Sequence, residues 1–155
     1  MKARSNLTNK DSLQIKVMYH EGAHKLETHG VWYDLAVPQD VTLKQGEFKI
    51  IPFNISMKMP DGYEGYIAPR SSTFKKYGIL QANSFGIIEN TYCGSDDIWG
   101  MPVYATRDVK IKNGTRIAQF RIQKIQPEFE LVEVKNLDEY ANRGGYGSTG
   151  ESATE

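Results

Sequence analysis

Cysteine is nearly absent: Cys93 stands alone in 155 residues, so no internal disulfide can form and a reducing cytoplasm is the expected compartment. Long apolar runs are missing as well. None approaches the ~18 residues that span a bilayer, and the polar opening from Met1 to Lys10 has no apolar core of a secretory signal. No membrane association is expected. An excess of one charge is also lacking, with 19 basic against 19 acidic residues, which leaves no broad field for nucleic acid. A small phosphorylated ligand stays open, because a few local cations can hold it. Long helical periodicity is absent too.

What is present reads as strands and turns. Alternating or β-branched runs occur at 13–19, 48–57, 63–68, 101–105, 116–122 and 129–134. Turn residues separate them, as in Pro38-Gln39-Asp40, Met59-Pro60-Asp61-Gly62 and Lys112-Asn113-Gly114. Many short strands at fairly even spacing predict an all-β sandwich or barrel. Residues 72–78 predict one short helix, with Ser71 or Ser72 as its cap and Gly78 ending it. The length suits a single domain. Residues 1–135 form the expected β domain, and from 136 the composition turns polar and glycine-rich. That tail, 136–155, is either a plain mobile terminus or a phosphate-wrapping strap, since bare glycine backbone lets N–H groups approach an anion.

His20-Glu21-Gly22-Ala23-His24 matches the H-E-x-x-H pattern of zinc hydrolases. Its setting argues against a metal site: it abuts a strand-like run, and Gly22 would cost about 1 kcal/mol inside a helix. No third ligand stands at a familiar spacing. A solvated loop is expected.

Four stretches and the tail carry the chemistry. They are Tyr33-Asp34-Leu35; Ala68-Pro69-Arg70-Ser71-Ser72; the twelve residues from Asn83 to Gly94 (NSFGIIENTYCG); Gly114-Thr115-Arg116-Ile117-Ala118-Gln119-Phe120; and Gly144-Gly145-Tyr146-Gly147-Ser148-Thr149-Gly150. Arginine and serine just before a helix suit a phosphate cradle. Asn83 offers both a donor and an acceptor to a base edge. In this order and spacing the stretches resemble the five motifs of the trimeric dUTPase family, over residues 33–150.

The resemblance implies a distorted jelly-roll fold, a β-sandwich or barrel with one short helix, assembled as a homotrimer. It implies hydrolysis of dUTP to dUMP and pyrophosphate with Mg2+, no direct protein ligand to that ion, and Asp34 near its water shell. Glu89 stands at the family's aspartate base and would direct water at the α-phosphorus. Arg70, Ser71, Ser72 and Gln119 would hold phosphates. Asn83, Gly86 and Ile88 would read uracil on a β-hairpin, and Tyr92 would pack under the deoxyribose. Tyr146 would stack on the base, with Gly147, Ser148 and Thr149 closing on the phosphates. Arg116 would support the site or an intersubunit pair. The chain departs from the pattern at Val31-Trp32, where Ala-Gly is usual, and at Ser72, where glycine is usual. It departs again at Glu89 and at Ala141, the place of the tail arginine, for which the adjacent Arg143 is the candidate substitute.

Glutamate is one methylene longer than aspartate, and misplacement by about 1 Å costs roughly 100-fold in rate. A trimer that binds dUTP, or serves a regulatory protein partner, with weak or no turnover is therefore the alternative. A deaminase acting on dCTP shares the Arg-Ser-Ser motif but needs a glutamate on the strand after the hairpin. Met101-Pro102-Val103-Tyr104-Ala105 has none. The Ser-Ser pair and the Asp96-Asp97-Ile98-Trp99 insertion resemble a phage or Gram-positive prophage branch, whose members would act in the host cytoplasm.

Overall fold

Alternation along the strands decides which faces are buried. In the strand Gly100–Ala105, Met101, Val103 and Ala105 are fully buried while Tyr104 between them is exposed, the period of a half-covered sheet. The structure is a computed structural model and describes residues 13–144. Contacts divide the chain after Ile125.

Within 13–125 the strands run β1 (Lys16–Tyr19), β2 (Glu27–Thr28), β3 (Tyr33–Ala36), β4 (Val41–Leu43), β5 (Phe48–Pro52), β6 (Ile55–Lys58) and β7 (Tyr63–Pro69). After the helix α1 (Thr73–Tyr77) come β8 (Ile79–Gln81), β9 (Gly86–Ile88), β10 (Gly100–Ala105), β11 (Val109–Ile111) and β12 (Arg116–Lys124). The largest sheet has the order β2-β3-β12-β7-β9, and a second has β5-β10-β8. Two ribbons, β1-β6 and β11-β4, complete the fold. All pairings are antiparallel, as short turns allow. The all-β class with one short helix holds, and among the described residues no pairing closes the sheets into a barrel.

The core lies between the layers. Trp99 is fully buried and meets Phe120 edge to face at 5.3 Å between centroids. Leu35, Ile67, Met101 and Ile117 belong to the same buried cluster. The indole presses on β7 at Gly65, where a Cβ would come within 2.6 Å of its ring.

Several expectations are corrected. The run at 48–57 is two strands: Asn54 takes φ 54° and breaks it, a backbone state that asparagine tolerates, and its amide donates to the Glu21 carbonyl at 2.9 Å. The run at 129–134 forms no strand within the chain. Its apolar side chains face solvent, Leu131 with 87% of its surface exposed, so alternation alone supplies no partner edge. Strands β2, β4 and β11 are two or three residues long, too short for a periodic signal. Helix α1 does end at Gly78, in the left-handed region at φ 64°, but the Ser72 side chain makes no capping bond. The first turn is held instead by the Thr73 N–H on the Arg70 carbonyl at 3.0 Å and by Thr73 Oγ1 on the Ile117 carbonyl at 2.7 Å.

In 126–144 the described chain has no regular strand or helix. A turn is closed by the Tyr140 N–H on the Leu137 carbonyl at 2.9 Å.

Candidate active site

Strand β12 lies between β3 and β7, and this register gathers three of the predicted stretches. Gln119 is opposite Asp34 on one side and Ala68 on the other. A register shift between Arg116 and Ala118 re-aims the start of the strand, as bulges do. Asp34 then sits between two guanidiniums: its Oδ1 is 2.9 Å from Arg70 Nε and its Oδ2 is 3.0 Å from Arg116 NH1. Only 9% of the Asp34 side chain is exposed. One carboxylate between two guanidiniums leaves one positive charge in excess. The polar cleft beside it, of about 250 Å³, is lined by Asp34, Arg70, Ser71 and Gln119 together with His29 and Trp32. Ser72 is half-buried at the helix start and Gln119 Nε2 donates to the Pro69 carbonyl at 3.3 Å.

His29 was not foreseen. Its Nδ1 accepts from Arg116 NH1 at 3.0 Å and lies 3.4 Å from Asp34 Oδ2. No motif marks it, because its place follows from the short pairing of β2 with β3.

The second group is built where the chain changes sheets. The strands on either side of Asn83 do not pair with each other: β8 belongs with β10, and β9 with β7. The expected hairpin is therefore a bridge between two sheets. The Ser84 N–H donates to the Gln81 carbonyl at 3.1 Å, the Phe85 N–H to the Asn83 carbonyl at 2.6 Å, and Ser84 takes φ 58°. Asn83 is exposed on this turn, and Gly86 is buried. Glycine is needed there, since a Cβ would sit 3.0 Å from both Ile67 Cβ and Gln81 Nε2.

Beyond β9 the chain bends away from the sheet. The Glu89 carbonyl accepts from the Tyr92 N–H at 3.0 Å. The Tyr92 hydroxyl donates to the Ile98 carbonyl at 3.2 Å, and Asp97 Oδ2 accepts the Gly94 N–H at 2.7 Å. An open cleft of about 810 Å³ results, lined by Ile88, Glu89, Tyr92, Asp97, Ile98 and Pro102. Glu89 is exposed at its rim. Asp97 and Ile98 come from the insertion noted in the sequence, but their lining the same cleft as Glu89 follows from the fold of the 94–98 loop.

The predicted residues thus occupy two clefts of one chain, a polar one with Asp34, Arg70, Ser71 and Gln119, and a larger one with Ile88, Glu89 and Tyr92. Arg143 is exposed in the 126–144 segment. Tyr146, Gly147, Ser148 and Thr149 lie outside the described residues. Among those described, no three His, Cys, Asp or Glu side chains converge as a metal site. His20 and His24 fall on a turn, not a helix, and diverge: His20 Nε2 is 2.9 Å from Ser56 Oγ and His24 Nε2 is 2.7 Å from Asn113 Oδ1.

Comparison with known proteins adds the family. The dUTPase family model matches residues 24–150. A SPbeta prophage-derived deoxyuridine 5'-triphosphate nucleotidohydrolase of Bacillus subtilis (strain 168) is 46% identical over 142 residues, covering 89% of this chain and 99% of that protein. A deoxyuridine 5'-triphosphate nucleotidohydrolase of Finegoldia magna is 40% identical over 114 residues, covering 72% and 77%. Among solved structures, a Staphylococcus bacteriophage 80alpha dUTPase mutant with dUpNHpp superposes with a TM-score of 0.73 at 24% identity, over 92% of this chain and 99% of that one. A dUTPase mutant of phage phi11 of S. aureus, described with a structural Mg(II) ion, gives a TM-score of 0.68 at 21% identity, over 83% and 99%. These two share the fold, which is jelly-roll-like. By motif order, family match and relatives together, the chain belongs to the dUTPase family.

Proposed function

We propose that this chain is a dUTP diphosphatase, hydrolysing dUTP to dUMP and pyrophosphate with Glu89 as the water-activating base. The observation that carries the reading is the cleft of about 810 Å³ lined by the exposed Glu89 together with Tyr92 and Ile88. Both relatives described above are named nucleotidohydrolases of deoxyuridine triphosphate.

In this reading the carboxylate of Glu89 orients a water and accepts its proton. A bond forms from that oxygen to the α-phosphorus, and the bond from the α-phosphorus to the bridging oxygen breaks, releasing pyrophosphate. Such chemistry rests on positioning and on countering phosphate charge. The guanidinium of Arg70, with Ser71, Ser72 and Gln119, supplies donors and one charge to the phosphates. Among the described residues the donor set holds no carboxylate cage, which fits an ion carried in by the phosphates, since magnesium keeps several waters and takes phosphate oxygens readily. Bound in that way, Mg2+ would neutralise phosphate charge. The Asp34 carboxylate, held by the two guanidiniums, would accept from waters of that ion's shell. Asn83 and the backbone of Gly86 and Ile88 would pair with uracil, and a site built on such pairs rejects a base with the wrong edge. Tyr92 would leave no room for a 2′-hydroxyl. In the tail, Tyr146 would stack on the base, while Arg143, Gly147, Ser148 and Thr149 would reach the phosphates.

The two clefts need to meet, and a homotrimer would bring one chain's Glu89 wall to another's Arg70 cradle. Supporting this, Phe48, Ile50, Leu80 and Tyr104 present an exposed apolar face on the β5-β10-β8 sheet, the kind of patch that marks an interface.

The test is pyrophosphate release from dUTP with magnesium in Glu89→Gln, which keeps size and removes the base. Loss of a general base typically lowers kcat by about 100- to 10,000-fold, with affinity for dUpNHpp retained. A wild-type chain that binds dUTP tightly and yields no product over hours would replace this reading with a dUTP-binding regulator.

A further inference from the structure

We propose that Asn90 is a positioning residue for Glu89, latching the bend that carries the carboxylate onto the turn between β6 and β7. The inference rests on the role of Glu89 proposed above. Strand β9 ends at Ile88, paired with Gly65, so from Glu89 onward the sheet ladder no longer holds the chain. The next residue takes over that task. Asn90 Nδ2 donates to the carbonyls of Pro60 at 2.6 Å, Tyr63 at 3.0 Å and Met59 at 3.3 Å. Its Oδ1 accepts from Lys58 Nζ, which also pairs with Asp61 at 3.2 Å. Every partner lies about thirty positions earlier in the chain, so this is a tertiary tie and not a local turn bond.

The chemistry specifies asparagine. A side-chain amide offers two N–H donors and two acceptor lone pairs, and here the donors face three carbonyls while the oxygen faces an ammonium. The reversed amide would set oxygen against carbonyl oxygens and NH2 against the ammonium, so the network fixes the orientation. Aspartate at 90 would bring negative oxygens against three carbonyls. Alanine would leave those carbonyls without this donor in a half-buried place. Glutamate at 89 has a long, flexible side chain, so the position of its carboxylate depends on how firmly the backbone beneath it is held. A shift of about 1 Å is enough to lower the rate roughly 100-fold.

The experiment compares full-length wild type with Asn90→Ala, Asn90→Asp and Lys58→Met. It reads steady-state pyrophosphate release from dUTP with magnesium, dUpNHpp binding and amide hydrogen exchange. Expected for both Asn90 variants is a fall in kcat of about 10- to 100-fold, with KM and analogue affinity within about threefold. Exchange at residues 89–92 should be at least about tenfold faster. Lys58→Met, which loosens the amide without removing it, should move kcat and exchange the same way by less. If Asn90→Ala fails to fold, Lys58→Met carries the test alone. Unchanged kcat per folded protein, with nothing altered except a lower Tm, would reduce Asn90 to a structural residue and overturn the proposal. A wild type without turnover would sink the hydrolytic reading separately. The latch would then be judged by exchange at 89–92, and unchanged exchange in the variants would overturn it.

Discussion

At the scale of single residues, Gly65 on β7 has no room for a side chain. A Cβ there would lie 2.6 Å from the Trp99 ring and 3.2 Å from Met59 Sδ, both in the packed core. Gly65→Ala should therefore lower unfolding stability by about 1–3 kcal/mol, the usual cost of overpacking, read from urea denaturation. Asp34 is the electrostatic counterpart. Asp34→Asn removes the charge between Arg70 and Arg116 and turns an NH2 toward one of them. Both guanidiniums are about a third exposed, so solvent screens the loss, and about 1–2 kcal/mol is expected. The larger effect should be functional, a roughly tenfold fall in kcat/KM for dUTP as Arg70 loses its anchor, checked by steady-state kinetics.

At the scale of elements, turn carboxylates hold β4 and β11 at both ends. Asp40 Oδ1 accepts the Asn113 N–H and its Oδ2 pairs with Lys112, each at 2.8 Å. Asp108 accepts the Gln45 N–H at 2.8 Å and Lys44 at 3.1 Å. The Lys112 side-chain bond chiefly, then the Asn113 N–H, hold Asp40 below the usual carboxylate range. Asp108 is lowered by the Gln45 N–H first and Lys44 second. A folded pKa below the unfolded one gives stability that is present above the ordinary value of about 3.9 and lost as pH falls through the folded value. Urea midpoints should fall below about pH 4, and Asp40→Asn with Asp108→Asn should flatten that acid limb.

Elements also show what the sequence could reveal. Strands β7, β10 and β12 were legible because six to nine residues are enough to carry a clear period. The Asn83 bridge was legible as a motif but not as geometry: its flanking strands join different sheets, and sequence adjacency suggests a hairpin by default. The Asp34–Arg70–Arg116 cluster was legible in its members and not in their mutual pairing, which depends on the register of β12 between β3 and β7. Nothing local marked His29 or Asn90, because Arg116 for the first and the 58–63 turn for the second lie far away in sequence.

At the scale of the whole molecule, the exposed face of Phe48, Ile50, Leu80 and Tyr104 predicts assembly. Leu80→Asp should convert the proposed trimer to smaller species in sedimentation measurements, since a charge placed in an apolar contact is left without a partner. A monomeric wild type would remove the trimer from the argument. The bridge at 82–85 has a further consequence, because it runs from the β5-β10-β8 layer to the layer containing β9. A nucleotide seated on that crossing, as proposed for Asn83 and Gly86, would act as a clasp between the two sheets. Filling the cleft and resisting global opening would then be one equilibrium, in which a ligand at a hundred times its Kd adds about 2.7 kcal/mol, and heat tolerance would follow the supply of substrate.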